Sequence, residues 1–338
     1  MDKAFENSKK NYQINGFRAV LLLLVILYHF LIVFSKQNIE GFNINHNYIP
    51  GQAATCVFLV ISGWFLNIKT VGSFWYKKLF RIILPFTLAI GFILTIRFLF
   101  GQFRISGLDA VMNVLIFPMN SNLFTYIDGA HWYIAALIYF FVVYTTLHLL
   151  DKIAKKDLSF WFFFALMIVC LLVTIFVKPT NTFFKIVRCV FPSHFVFIIF
   201  GLLLCKLYKK PFKKIPINTV LIAVLVLFSC LNCFFSFDWY QLIFFVALLA
   251  FLALCHLKLI KLFEWKPLQV IGDASLWVYL LHQEIGYIII KPFYENNLYW
   301  LGVIVASISM IGVGIGLSFI WNRFVIKNAF KCLINNNG

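Results

Sequence analysis

Between residues 17 and 321 the chain alternates apolar runs about as long as a bilayer is thick with short polar breaks. A helix rising 1.5 Å per residue needs roughly 17 to 25 residues to cross a hydrocarbon core of about 30 Å. Ten runs fit: 17–34, 52–68, 82–100, 131–150, 158–177, 189–207, 217–237, 239–257, 272–290 and 298–321. The pattern predicts an all-α integral membrane protein, a bundle of about ten transmembrane helices. Composition agrees, with 62% apolar residues, 42 phenylalanines and only 12% charged residues, against about 25% charged in an average soluble domain. No soluble core of 338 residues hides that much apolar surface, so a soluble enzyme, a disordered tail and a secreted disulfide scaffold are excluded.

The second run is short and broken by Ser62-Gly63, and only Phe237-Asp238 separates the seventh from the eighth. Leu108–Met119 is too short to span and reads as an interfacial helix or part of a re-entrant loop. The first run is long and no small-x-small cleavage site follows it, so a retained helix is expected rather than a cleaved signal peptide. No linker, soluble module or internal repeat appears, which predicts a single transmembrane domain over 1–338.

The net charge of +17 would point to nucleic acid in a soluble protein. In a membrane protein it reports orientation instead. With the N-terminus in the cytoplasm, 21 of the 29 basic residues fall inside and six outside, leaving Arg18 and Arg97 at membrane depth. That split predicts both termini in the cytoplasm; the membrane expected is the cell's inner or plasma membrane. No nucleic-acid partner is expected; the lipid bilayer is.

An ionisable group inside a transmembrane helix costs at least about 2.5 kcal/mol, so each one asks for a reason. Arg18 and His29 are eleven residues apart in the first run. Eleven steps of 100° fall about 20° past three turns, so both lie on one face, about 16 Å apart along the axis. The competing reading is an arginine that snorkels to lipid phosphate and a histidine bonded to a neighbouring helix. His282, near the middle of the ninth run, is another intramembrane candidate. Most of the cysteines sit in or beside apolar segments as small hydrophobes, and Cys230-Leu-Asn-Cys233 lacks a second pair. No histidine and carboxylate cluster has metal-ligand spacing, so no metal is expected. His46, His148, His194 and His256 read as structural.

Five blocks in order resemble the acyltransferase family 3 membrane proteins. Ile14-Asn-Gly-Phe-Arg18 with His29 is similar to the family's Asp-Gly-Leu-Arg opening and its histidine eleven residues on. Val57-Phe-Leu-Val-Ile-Ser62-Gly63 resembles the Phe-Phe-x-x-Ser-Gly-Phe segment. Phe74 to Pro85, with Lys77, Lys78 and Arg81, is similar to Phe-x-x-x-Arg-x-x-Arg-Ile-x-Pro. His131-Trp132-Tyr133 resembles the Trp-Tyr-Leu segment, especially in short members that modify surface polysaccharides. Gly272-Asp-Ala-Ser275 to Tyr279 and His282 resembles the closing Ser-x-x-x-Tyr-Leu-x-His block. Asn15 stands where the family often has Asp, and Lys78 where it often has Arg, which removes a bidentate fork for phosphate.

The resemblance implies a membrane O-acyltransferase of the short form, without a fused extracytoplasmic domain. Acetyl-CoA, or another acyl-CoA, would be the cytoplasmic co-substrate. The acceptor would be a hydroxyl of a cell-surface polysaccharide or of its lipid-linked glycolipid precursor. His29 is expected to act as general base on that hydroxyl, with an acyl-histidine as the variant. Arg18, Lys78 and Arg81 are expected to hold the donor, since Lys and Arg are the usual phosphate binders. His131 and Trp132 are candidates for the acceptor mouth, against an interfacial aromatic belt, and His282 for substrate contact, against an interhelical hydrogen bond. Ser62 and Gly63 read as a tight-packing or kink point rather than a nucleophile. The alternatives are a polysaccharide or small-molecule transporter and a catalytically silent scaffold.

Overall fold

A computed structural model describes residues 11–35, 48–99, 107–114, 132–155, 158–178, 192–209 and 215–329, with positions 180, 183, 187, 190 and 211 between them. All regular structure among these residues is helical. In chain order the helices are α1 (Tyr12–Ser35), α2 (Gly51–Trp64), α3 (Val71–Lys78), α4 (Leu84–Leu99), α5 (Gly107–Val114), α6 (Trp132–Ala154), α7 (Leu158–Phe176), α8 (His194–Lys209), α9 (Ile215–Ser236), α10 (Trp239–His256), α11 (Lys266–Glu295) and α12 (Tyr299–Ile320). Each of the ten apolar runs meets one of these helices or a continuous pair of them, and seven segments are long and apolar enough to cross a membrane. The others are the 14-residue α2, the 16-residue α8 and the 30-residue α11, whose Asp273, Glu284 and Lys291 dilute its apolar character. Of the stretch Leu108–Met119, residues up to Val114 form part of α5, and 115–119 lie outside the described residues.

The third run begins earlier than its hydropathy indicates. Thr70 caps α3 through its hydroxyl, which accepts from Ser73 N at 3.4 Å. A π-helical turn over Leu79–Ile83 then joins α3 to α4 in one continuous helix, with Leu84 N–H reaching Leu79 O. Pro85 explains the wide turn. It has no N–H to give to the carbonyl four residues back, at Arg81, and its ring crowds that carbonyl. The basic cluster of Lys77, Lys78 and Arg81 is therefore helical, but Arg81 lies in a π turn rather than a regular α-helical register.

The chain forms two compact units, Met1–Ala54 with Val246–Gly338, and Thr55–Phe245. In lipid, helices gain little from burying apolar surface against one another, so close packing of small residues decides which pairs meet. In the first unit, α1 is the central element, two-thirds of its apolar stretch being buried. Its N-terminal turns lie against a 3₁₀ turn at Lys261–Glu264 and the start of α11. A methyl group added at Gly16 would sit 1.9 Å from Phe263 O, and one at Gly272 2.3 Å from Asn15 O, so both glycines are required by backbone-to-backbone approach. Polar groups knit the same seam. Gln13 Nε2 donates to Glu264 at 2.8 Å, and Gln269 Nε2 donates to Tyr12 O at 2.7 Å and Phe263 O at 2.6 Å. A tight turn folds α12 back on α11: Leu298 N bonds Phe293 O at 2.8 Å and Asn297 N bonds Tyr294 O at 3.0 Å, with Asn297 left-handed at φ 59°.

In the second unit, α2 crosses α8 through a reciprocal pair of glycines. A methyl at Gly63 would meet Ile198 O at 2.0 Å, and one at Gly201 would meet Val60 O at 2.0 Å. Beside this crossing the core is aromatic. Phe140 packs against Phe163 and edge-on to Phe195, with centroids 5.3 and 5.5 Å apart, and Phe197 meets Phe245 at 5.3 Å.

Gly16→Ala and Gly63→Ala should each lower the denaturation midpoint of the purified, detergent-solubilised protein, since forcing atoms into a packed contact costs about 1–3 kcal/mol. Gly72, with nothing within 4 Å of the added methyl, is the control. There the gain in helix propensity, up to about 1 kcal/mol, should leave the midpoint unchanged or raised.

Candidate active site

Arg18 and His29 face α11 from one stripe of α1. The Arg18 guanidinium donates through Nη2 to Ser275 Oγ at 2.7 Å. Further along, the His29 ring lies against His282, centroids 5.1 Å apart and planes tilted by 60°. The two partners on α11 are seven residues apart, about 20° short of two turns, so they too share a face. Two stripes, one on each helix, thus oppose an arginine to a serine and a histidine to a histidine.

His282 is wholly buried. Its Nδ1 lies 2.7 Å from Tyr279 O. A carbonyl only accepts, so Nδ1 carries the proton in this contact and Nε2 keeps the lone pair. His29 is half-buried, and Tyr287 Oη donates to its carbonyl at 3.4 Å. Aromatic rings close around the pair: Phe30 and Tyr279 stand 6.5 and 5.5 Å from the His282 ring. An imidazole pair in an apolar wall, with a cation three turns away on the same helix, is equipped to move a proton and to hold an anion.

Asn15 accounts for itself by its partners. Its amide nitrogen lies 3.1 Å from Gln269 O, Gln269 Oε1 and Asp273 Oδ1. All three are acceptors here, so the position needs a donor. An aspartate would bring a carboxylate against another carboxylate and two carbonyl oxygens.

The other candidates belong to the second unit. Lys78 is half-buried, its ammonium 4.2 Å from the centroid of Phe141 and 5.2 Å from that of Phe74, a cation–π seat. Arg81 is exposed in the π turn. Trp132 opens α6 and stacks on His194, centroids 4.0 Å apart and planes 29° apart. Next to it, the Tyr133 and Ser62 hydroxyls share a hydrogen bond of 3.0 Å. His131 lies outside the described residues. Among the described residues no three His, Cys, Asp or Glu side chains come together as metal ligands would.

Sequence reasoning missed two of these partners. Ser275 stands in the closing block, and its seven-residue spacing to His282 is the signal that would have singled it out. His194, read as structural, is the stacking partner of Trp132; nothing in its local sequence announces that.

A family model described as an acyltransferase domain matches residues 11–319, from the first described residue almost to the end of α12. No curated protein and no solved structure matches the chain. The five sequence blocks, the apolar helices and this match over most of the length agree: the chain belongs to acyltransferase family 3 and is a multi-pass membrane protein.

Proposed function

We propose that the protein moves an acetyl or other short acyl group from cytoplasmic acyl-CoA to a hydroxyl of a cell-surface polysaccharide or its lipid-linked precursor. The observation that carries this reading is the paired stripe of α1 and α11, Arg18 with Ser275 and His29 with His282. The acceptor hydroxyl attacks the thioester carbonyl as His29 takes its proton; the carbon–sulfur bond breaks and the CoA thiolate leaves. Arg18 and its hydrogen bond to Ser275 supply a fixed positive charge for the donor's phosphates or for developing negative charge. His282, its proton held on Nδ1, supports the orientation of His29 and contacts substrate. Lys78 and Arg81 bind donor phosphate, and His131 and Trp132 line the acceptor mouth.

The reading includes one transmembrane domain over 1–338, ten membrane crossings, both termini in the cytoplasm, and residence in the inner or plasma membrane. Excess basic residues on one side of the proposed crossings support that orientation.

Reconstituted protein should transfer label from radiolabelled acetyl-CoA to a surface-glycan acceptor. His29→Ala should lower kcat by about 10²- to 10⁴-fold, the usual contribution of a positioned general base. Unchanged transfer by a folded His29→Ala protein removes that role, and glycan flux without consumption of acyl-CoA favours a transporter.

Lys78→Gln and Arg81→Gln should raise KM for acetyl-CoA by about tenfold each while kcat changes little, as expected on losing one charged hydrogen bond to a phosphate. An unchanged KM returns both residues to ordinary positive-inside decoration.

Single cysteines introduced at Lys258, ahead of α11, and at Lys291, in the last turns of α11, should react with impermeant thiol reagents from opposite sides of the membrane. Labelling from one side contradicts the proposed topology.

A further inference from the structure

Within the second unit, the C-terminal ends of α6 and α8 and the N-terminal end of α7 line an open cavity of about 480 Å³. That is within the range of small-molecule sites, roughly 300–1,000 Å³. Four lysines line it, Lys152 and Lys155 from the end of α6 and Lys206 and Lys209 from the end of α8, together with Ser159 and Trp161 of α7. Asp151 is the one carboxylate in the lining, and its Oδ1 already accepts from Ser159 N at 2.9 Å.

Lysines at helix C-termini commonly do no more than complement the helix dipole or mark a cytoplasmic face. Three details set this group apart. Lys155 is left-handed at φ 52°, so α6 ends on a turn at the cavity instead of running on into solvent. Lys206 is half-buried and anchored, its Nζ donating to Ser159 Oγ at 2.5 Å, which fixes one cation in the wall. Four lysines line one concave space with a single carboxylate among them, an excess of positive charge that suits a bound anion. Trp161 adds an aromatic face to the same lining.

We propose that this cavity binds a phosphate ester. The lysine ammoniums and the Ser159 hydroxyl are hydrogen-bond donors suited to a tetrahedral dianion or diester. The ligand chemistry is shared by two sources, the head group of an anionic phospholipid and the nucleotide phosphates of a coenzyme. The nucleotide source rests on the acyl-CoA reading, whereas the lipid source stands on the lining alone.

The test uses the full chain in nanodiscs. One arm measures binding of radiolabelled adenosine 3′,5′-bisphosphate in phosphatidylcholine discs. The other measures, by native mass spectrometry, retention of phosphatidylglycerol from mixed discs. Lys152→Gln with Lys155→Gln is the test variant, both residues being exposed, and Lys291→Gln, far along the chain and in an ion pair with Glu295, is the control. Wild type should bind at least one probe. The double variant should bind it about tenfold or more weakly, as expected for lost charge-assisted contacts, with an unchanged denaturation midpoint, while the control binds as wild type. Retention of phosphatidylglycerol alone assigns the lipid source, and binding of the bisphosphate assigns the nucleotide. Failure of wild type to bind either probe, or equal binding by the double variant, overturns the proposal.

Discussion

Everything proposed for the first unit depends on how closely the start of α1 can approach the backbone around Phe263 and Gly272. Helix association in lipid is decided by van der Waals fit and interhelical hydrogen bonds. Here Gly16 and Gly272 remove the side chains that would hold the backbones apart. Once the seam closes, Asn15 bonds Gln269, Gln269 reaches the Tyr12 and Phe263 carbonyls, and Gln13 bonds Glu264 and the Ile260 N–H. Rotation of α1 about its axis is then fixed. Arg18 and His29 inherit their direction from it, and a shift of one residue would turn both by about 100° away from Ser275 and His282.

The fold was largely legible because its governing quantity, the length of an apolar run, is a one-dimensional property. The α1 stripe was legible for a similar reason: eleven residues on a helix amount to nearly whole turns. Less visible were features that depend on two distant segments at once. Hydropathy placed the third span at 82–100, whereas the helix starts at Val71, because polar Ser73, Lys77 and Lys78 lower the local average without stopping the helix. The π turn at Leu79–Ile83 follows from Pro85, yet Pro85 alone could as well have ended a helix. The pairing of Trp132 with His194 requires α6 and α8 to be neighbours, which no local pattern states.

Departures from a family pattern are informative when their partners are known. Asn15 is matched to a ring of acceptors, Gln269 Oε1 and Asp273 Oδ1 among them, which an aspartate at this position would not suit. Lys78 trades a guanidinium fork for a compact ammonium seated over two phenylalanine rings. The first departure suits the hydrogen bonds of the α1 seam; the second would change the geometry offered to the proposed donor's phosphate.

The contacts that orient Arg18 span 257 residues of sequence. During synthesis α1 enters the membrane long before α11 exists, and for that interval its arginine has no Ser275 to meet. Closure of so long a loop carries a slowly growing entropic cost, and non-local pairing of this kind is the slow part of assembly. The pair of stripes is thus among the last parts of its unit to form, and a chain stalled before residue 275 would carry the arginine and His29 without a site.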